Sequence, residues 1–419
     1  MDILLPTLGS AGDVHPAIAL ATALKSRGHN VTVITNEYFS AQIESAGLGF
    51  IHLGTLADAE RIIADPRLYS PTKSFDVIAQ MVILPNLEPL YRILDTHRTP
   101  STVIVASTIC LGARIASEKL GIPMATIHLQ PSVIRSLTDA GRQGRIPMGP
   151  SAPLWWKRFI YKLIDGLYID RQLAPSLNRF RTSLGLPPIK RIFAEWLHSP
   201  QLVLGLFPEW WGPIQPDWPV ALRLTGFVLH DAAGHYDIPP EVEDFLAAGP
   251  PPIVFTPGSA GANLHTFFRE SVAACRLTGH RAMLVTSFPD QLPPDLPPNV
   301  RAFPYLPFSQ ILPRAAALVH PGGIGTIAQA VRAGIPQLVV PYGNDQPDNA
   351  LRLERLRLGV SIYPERYKAA RVARALHALL DSPEIKANAL RYSARIDTDA
   401  ALNQACDAIE QLSQHQTRA

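Results

Sequence analysis

A chain of 419 residues is long for a single α/β core, so two domains are expected. Hydrophobic residues make up 47% and charged residues 17%, a globular composition, and a net charge of +3 without a long Lys/Arg run argues against a nucleic-acid partner. Three scattered cysteines, Cys110, Cys275 and Cys406, form neither a disulfide framework nor a thiolate zinc site.

The first residues, Met1-Asp2-Ile3-Leu4-Leu5-Pro6, lack the basic start and apolar run of a signal peptide, and no stretch reaches the roughly 20 apolar residues of a spanning helix. A cytoplasmic protein is expected, either free or in peripheral contact with the inner face of the membrane. Residues 3–5 read as a first strand. A glycine-bearing loop and a helix follow, with Pro16 near its start and Gly28 just past its end. Residues 31–35, 102–107, 123–128 and 202–206 read as further buried strands, and 114–119 as a crossover helix closed by Gly121.

Between these, Trp155, Trp156, Phe159, Ile160, Leu163, Ile164 and Leu167 recur at helical spacing, with Lys157, Arg158 and Lys162 among them. This amphipathic helix either packs on its own domain or walls an apolar acceptor channel, its basic residues turned to a membrane surface. The chain holds 40 prolines, about twice the usual share. They cluster at 208–219 and 239–252, which places an N-terminal domain at 1–228 and a linker at 229–240. Residues 253–256, 282–286, 300–303, 316–320 and 337–340 then repeat the strand grammar, for a C-terminal domain at 241–395. Residues 396–419 read as a helix returning to the N-terminal domain. The fold class is α/β, with two doubly wound parallel sheets that bind ligands at the carboxyl ends of their strands.

Two strand-to-helix loops carry the chemistry. In Gly9-Ser10-Ala11-Gly12-Asp13-Val14-His15-Pro16, Asp13 is either a general base for an acceptor hydroxyl or a helix cap, and His15 is the rival base. The loop is no G-x-G-x-x-G fingerprint, and no acidic residue ends the second strand at Thr35, so nicotinamide chemistry is a poor fit. In His320-Pro321-Gly322-Gly323-Ile324-Gly325-Thr326 the glycines let backbone approach a diphosphate, Thr326 adds a hydroxyl and His320 could donate to a phosphate oxygen. The lysine and spacing of a P-loop are missing. Asp345 and Gln346 suit adjacent sugar hydroxyls, or Asp345 caps the helical run 347–356. Pro257-Gly258-Ser259-Ala260-Gly261 is a third small-residue turn on the same side of the sheet.

Taken together, G-S-A-G-D-V-H-P, H-P-G-G-I-G-T and D-Q resemble the inverting glycosyltransferases of family 1, which have the GT-B fold. Within that family the text of residues 65–68, 111–116 and 198–201 is most similar to the rhamnosyltransferases of rhamnolipid synthesis. The resemblance implies dTDP-L-rhamnose as donor and a 3-hydroxyacyl lipid as acceptor, with a UDP-glucose-dependent enzyme acting on a small hydrophobic or aromatic alcohol as the alternative. It makes Asp13 the base, assigns Gly258, Ser259, His320, Gly322, Gly323, Gly325 and Thr326 to the diphosphate, and gives the sugar to Asp345 and Gln346. Tyr305 and Leu306 fall where the family places its nucleobase platform. His15, His128, Trp155 and Phe159 would line the acceptor side, although His128 equally suits a structural role.

Plant-type members carry His where Asp13 stands, paired with a distant Asp; Ser107 lies near that second position here, so no dyad is expected. Their ribose-binding Glu is replaced by the neighbourhood Ile327-Ala328-Gln329, compatible with a deoxyribose donor. The family needs no metal or resident cofactor, and Asp397-Thr398-Asp399, despite its D-x-D spacing, reads as a helix cap. A nucleotide-sugar epimerase would surround the sugar with acidic and basic groups instead of an apolar channel. A non-catalytic subunit would be expected to lose Asp13 or the glycine cradle, and both are present.

Overall fold

The computed structural model describes the chain except for residues 143–145, 147, 150, 232–236, 259–260, 262–263 and 415–419. Two compact units emerge. The first comprises Met1–Leu68, Lys73–Val228 and Asp397–Ala419, the second Tyr69–Thr72 and Leu229–Ile396. Residues 229–240, the expected linker, fall partly outside the described residues.

The first unit is built on seven strands: β1 (Asp2–Pro6), β2 (Asn30–Thr35), β3 (Gly49–His52), β4 (Thr102–Ser107), β5 (Met124–His128), β6 (Leu202–Gly205) and β7 (Leu222–Leu224). They form one parallel sheet in the order β3-β2-β1-β4-β5-β6-β7. The second unit carries six more: β8 (Ile253–Phe255), β9 (Ala282–Val285), β10 (Val300–Phe303), β11 (Ala317–His320), β12 (Gln337–Val339) and β13 (Gly359–Ser361). Their order, β10-β9-β8-β11-β12-β13, is again parallel and doubly wound. In both sheets the chain reverses direction beside the first strand, at β1/β4 and β8/β11. In such sheets the loops that leave this point at the carboxyl ends are free to meet a ligand.

The central strands are apolar throughout because both of their faces are covered. Ile3 and Leu5 join one core with Val31, Val33, Val103 and Val105, while Leu4 joins the opposite core with Ile34, Ile104 and Met124. The second sheet alternates in the same way: Ile253, Phe255, Leu284 and Val319 face one side, Val254, Met283 and Leu318 the other. This period of two on both faces is the reason the strands read as continuous hydrophobic runs.

The last helix, Thr398–Gln414, packs Ala401, Ala405, Cys406 and Ile409 into the core beside the helix Ala11–Ser26, β5 and β6. Arg27 reaches Asp407 at 2.6 Å and Glu410 at 3.2 Å, and His29 meets Glu410 at 2.8 Å. Such partly exposed pairs contribute about 0.2–1 kcal/mol each, so the buried apolar face dominates this seat. Asp397 Oδ1 accepts the Ala400 N–H at 2.9 Å, which makes it the cap of this helix.

The aromatic helix differs from its expected form. It spans Leu154–Leu163 and continues through a wider turn, Ile164–Ile169, into the helix Asp170–Ser183. Lys157 does not belong to a basic outer face: it is buried and its ammonium donates to the Leu137 carbonyl at 3.0 Å.

Candidate active site

In the first unit the loop between β1 and the helix Ala11–Ser26 is held from both sides. The Thr7 N–H donates to the Ile34 carbonyl at 2.9 Å, and the Leu8 N–H to Ser107 Oγ at 3.3 Å. Ser107 is therefore a loop support, and Asp13 has no carboxylate partner there. Gly9 adopts φ +133°, and a Cβ on it would lie 2.2 Å from Asp13 Oδ2. Only glycine lets the chain pass so close to that carboxylate.

Asp13 is the third residue of the helix, half-buried, and reaches back to the loop. Its Oδ2 accepts the Ser10 N–H at 2.9 Å and the Ser10 hydroxyl at 3.3 Å. Ser10, not Asp13, occupies the N-cap position, and Asp13 is the returning partner of a capping box. Its Oδ1 accepts no hydrogen bond among the described residues. Burial pushes the carboxyl up to about 6, against the two Ser10 hydrogen bonds that favour the charged form. The outcome is a carboxylate still ionised at neutral pH but more basic than usual, with one oxygen available. His15, one half-turn on, sets its ring edge-on to Phe39 with centroids 6.5 Å apart.

In the second unit, β11 ends at His320 and the helix Ile324–Arg332 begins after Gly323. The first N–H groups of that helix have no carbonyl within it to bond and can meet an anion; Thr326 stands among them, half-buried. Gly322 adopts φ +97°, and a Cβ there would meet Val339 Cγ1 at 2.6 Å, whereas a Cβ on Gly323 would meet nothing within 4 Å. The turn is thus packed at Gly322 and open at Gly323. Gly325 lies in the first turn of the helix.

His320 does not serve as the expected phosphate donor. It is fully buried, its Nδ1 accepts the Gly322 N–H at 3.1 Å and its Nε2 faces Gln337 Oε1 at 3.1 Å. The proton therefore sits on Nε2, and burial holds the ring down to about 4, so it stays neutral. Its part is to shape the turn.

After β12, Asn344 takes φ +53° and Asp345 precedes the helix Gln346–Arg355. Gln346 Oε1 accepts the Tyr342 N–H at 2.8 Å and the Gly343 N–H at 3.3 Å, which fixes the loop that precedes the helix. Asp345 Oδ2 accepts from Asn349 Nδ2 at 2.6 Å. Gly258 follows β8, the neighbour of β11, and its N–H donates to Thr256 Oγ1 at 3.2 Å. Ser259 lies outside the described residues. The buried Gln291, which no motif flagged, holds this loop through the Leu264 N–H at 2.8 Å and the Gly261 carbonyl at 2.5 Å. Tyr305 remains partly exposed, but the Leu306 side chain is core, so Leu306 offers a ligand only its backbone.

Of the acceptor-side residues, His128 is corrected. It is fully buried, with Nδ1 against Thr108 Oγ1 at 3.0 Å and Nε2 against His198 Nδ1 at 2.9 Å, so it lines no pocket. Trp155 and Phe159 are exposed, at 68% and 49%, together with Leu154 and Leu167.

Comparison with known proteins places this geometry. Residues 3–137 match the glycosyltransferase family 28 N-terminal domain, and residues 282–409 the erythromycin biosynthesis protein CIII-like, C-terminal domain. Over 431 aligned residues the chain is 30% identical to the O-mycaminosyltylonolide 6-deoxyallosyltransferase of Streptomyces fradiae, covering 100% of this chain and 99% of that one. The crystal structure of the glycotransferase of kitacinnamycin shares the fold, with a TM-score of 0.74 at 21% identity over 98% of both chains. So does the spinosyn rhamnosyltransferase SpnG complexed with thymidine diphosphate, with a TM-score of 0.67 at 20% identity over 97% of this chain and 100% of that one. The two parallel-sheet units are those of the GT-B glycosyltransferases. The chain belongs to the family 1/28 glycosyltransferases, EryCIII-like and related to the antibiotic glycosyltransferases, and it is an enzyme of nucleotide-sugar transfer.

Proposed function

We propose that this enzyme moves a 6-deoxyhexose, in the first instance L-rhamnose from dTDP-L-rhamnose, onto a hydroxyl of an apolar acceptor such as a 3-hydroxyacyl lipid. Asp13 carries the reading: a carboxylate raised to about 6, with one oxygen unbonded, on the loop that opens the first sheet. Asp13 takes the proton of the acceptor hydroxyl as its oxygen attacks the anomeric carbon. The bond from that carbon to the diphosphate breaks, the electron pair leaves with the diphosphate, and the configuration inverts. The helix start at Gly323–Thr326 faces the growing negative charge with N–H groups and its positive dipole end. Asp345 and Gln346 hold the sugar, and Tyr305 the base.

Three observations support the donor. The full-length relative from Streptomyces fradiae is, by name, a 6-deoxyallosyltransferase, and a protein of the same fold was crystallised with thymidine diphosphate. Ala328 and Gln329 stand where a ribose-binding Glu is found in other members, so no carboxylate asks for a 2′-hydroxyl. The exposed stripe of Leu154, Trp155, Phe159 and Leu167, flanked by Arg158 and Lys162, supports an apolar acceptor, presented from solution or from a membrane surface. Among the described residues no helix is long and apolar enough to cross a membrane.

A thermal-shift series with dTDP, UDP and GDP tests the donor, because a ligand that binds the folded state raises its apparent stability. The largest shift is expected with dTDP. A shift with UDP alone would replace this reading by UDP-glucose transfer to a small hydrophobic alcohol.

A further inference from the structure

Asn349 belongs to none of the motifs above, yet it joins two of them. It lies in the first turn of the helix Gln346–Arg355 and is fully buried. Its amide nitrogen carries two hydrogens and both are used: one goes to the Gly322 carbonyl at 3.0 Å, the other to Asp345 Oδ2 at 2.6 Å. The Gly322 N–H is held in turn by His320, and His320 by Gln337. One line of hydrogen bonds therefore runs from Gln337 through His320, Gly322 and Asn349 to Asp345. It ties the glycine turn after β11 to the loop after β12.

The cost of this arrangement is visible in the same side chain. Asn349 Oδ1 is buried and accepts no hydrogen bond among the described residues. A buried acceptor without a donor is unfavourable, so an apolar side chain would fill the space better if filling it were the only task. Two donors aimed at two ligand loops give the amide its reason. The bond to the carboxylate is charge-assisted and the shorter of the two, which makes it the stronger.

We propose that Asn349 is a positioning residue for the donor: it fixes the Gly322 peptide and the Asp345 carboxylate in one frame, so that diphosphate and sugar are gripped together. This rests on the donor-site reading given under Proposed function. Without Asn349 the Asp345 carboxylate loses the bond that ties it to the Gly322 turn, and the grip on the sugar weakens while the helix start still meets the diphosphate.

The test is calorimetric, with dTDP and dTDP-L-rhamnose as probes on the full chain. Asn349→Ala should weaken dTDP-L-rhamnose about tenfold more than it weakens dTDP. In an Asp345→Ala background the same change should weaken both ligands alike, because the coupling has lost its partner. Asn349→Leu, of similar size but with no hydrogen to donate, should give the same pattern and serves if the alanine variant does not fold. Proportional losses of both ligands, or a preferential loss that persists without Asp345, would overturn the proposal. Wild-type protein that binds neither probe would refute the donor reading and this inference with it; proportional losses refute this inference alone.

Discussion

The Gly322 N–H donates to His320 Nδ1 at 3.1 Å, and through this one bond a buried neutral imidazole sets the shape of the glycine turn. Protonating Nδ1 would remove the acceptor and place a charge in the core. His320 is held down to about 4 by burial, His198 likewise to about 4, and His128 well below its usual value. Unfolded histidines titrate near 6.5. Between these values the unfolded chain binds more protons, so the contribution is complete above about pH 6.5 and is lost as pH falls toward 4. Asp13, raised to about 6, and Asp165, raised by burial, act in the opposite sense, but these two carboxyls stand against four histidines, since burial lowers His280 as well. Urea midpoints should therefore fall steadily from pH 7 to pH 5, and His320→Gln should flatten part of the slope. A midpoint constant across this range would contradict the assignment of the neutral ring.

The two glycines of the turn should part company on substitution. Gly322→Ala forces a Cβ against Val339 at a φ that side chains rarely adopt, so the melting temperature should drop. Gly323 has φ −62° and open space at its Cβ position, so Gly323→Val should fold normally yet fill the space where backbone meets diphosphate. Its dTDP affinity by calorimetry should fall by more than about tenfold. Undiminished affinity in Gly323→Val would remove the diphosphate from this turn.

On the acceptor side, Trp155→Ala with Phe159→Ala removes exposed rings that contribute little to the core. The melting temperature and the dTDP affinity should stay near wild type, while KM for an apolar acceptor rises several-fold, in proportion to roughly 25 cal/mol for each Å2 of lost contact. An unchanged KM would assign the patch to some other surface.

The class of fold was legible because it depends on short apolar runs spaced by helices, and β1, β2, β4, β5 and β6 have that character on both faces. Three of the four edge strands, β3, β7 and β13, were not. Gly49–His52 is largely exposed, and Gly359–Ser361 starts at a glycine pressed against the Gln337 carbonyl; neither shows an apolar run. The glycine turns and Asp13 could be read since their chemistry is local. The buried supports could not: Gln291, Gln337 and Asn349 are unremarkable amides in sequence and acquire meaning only from a partner on another loop or strand, the Gly261 carbonyl, the His320 ring and the Gly322 carbonyl. His128 misled because a histidine ending a strand looks the same whether it faces a ligand or His198.

The expected resemblance to rhamnolipid enzymes rests on residues 65–68, 111–116 and 198–201. Its residues serve the scaffold: Arg67 pairs with Asp65 at 2.6 Å, Gly112 makes room for the Leu87 carbonyl, and Ser199 and Gln201 bond the backbone of Met124 at 2.6 and 2.8 Å. Such positions carry packing and do not bear on the choice of sugar or acceptor.

The central claim is that Asp13 is the base, and turnover measured beside melting temperature tests it most directly. Asp13→Asn keeps an oxygen for the Ser10 N–H but cannot take a proton. Its turnover should fall about 10²–10⁴-fold, and the acid limb of kcat/KM, placed near pH 6 by the raised carboxyl, should vanish. The charged form of a carboxyl raised by burial destabilises the fold above that pH, so at neutral pH the melting temperature should hold or rise slightly. Donor affinity should stay near wild type, and His15→Gln should have the milder effect on turnover. An active Asn variant beside a dead His15→Gln would give the base role to His15, and equal modest losses in both would leave Asp13 as half of a capping box and nothing more.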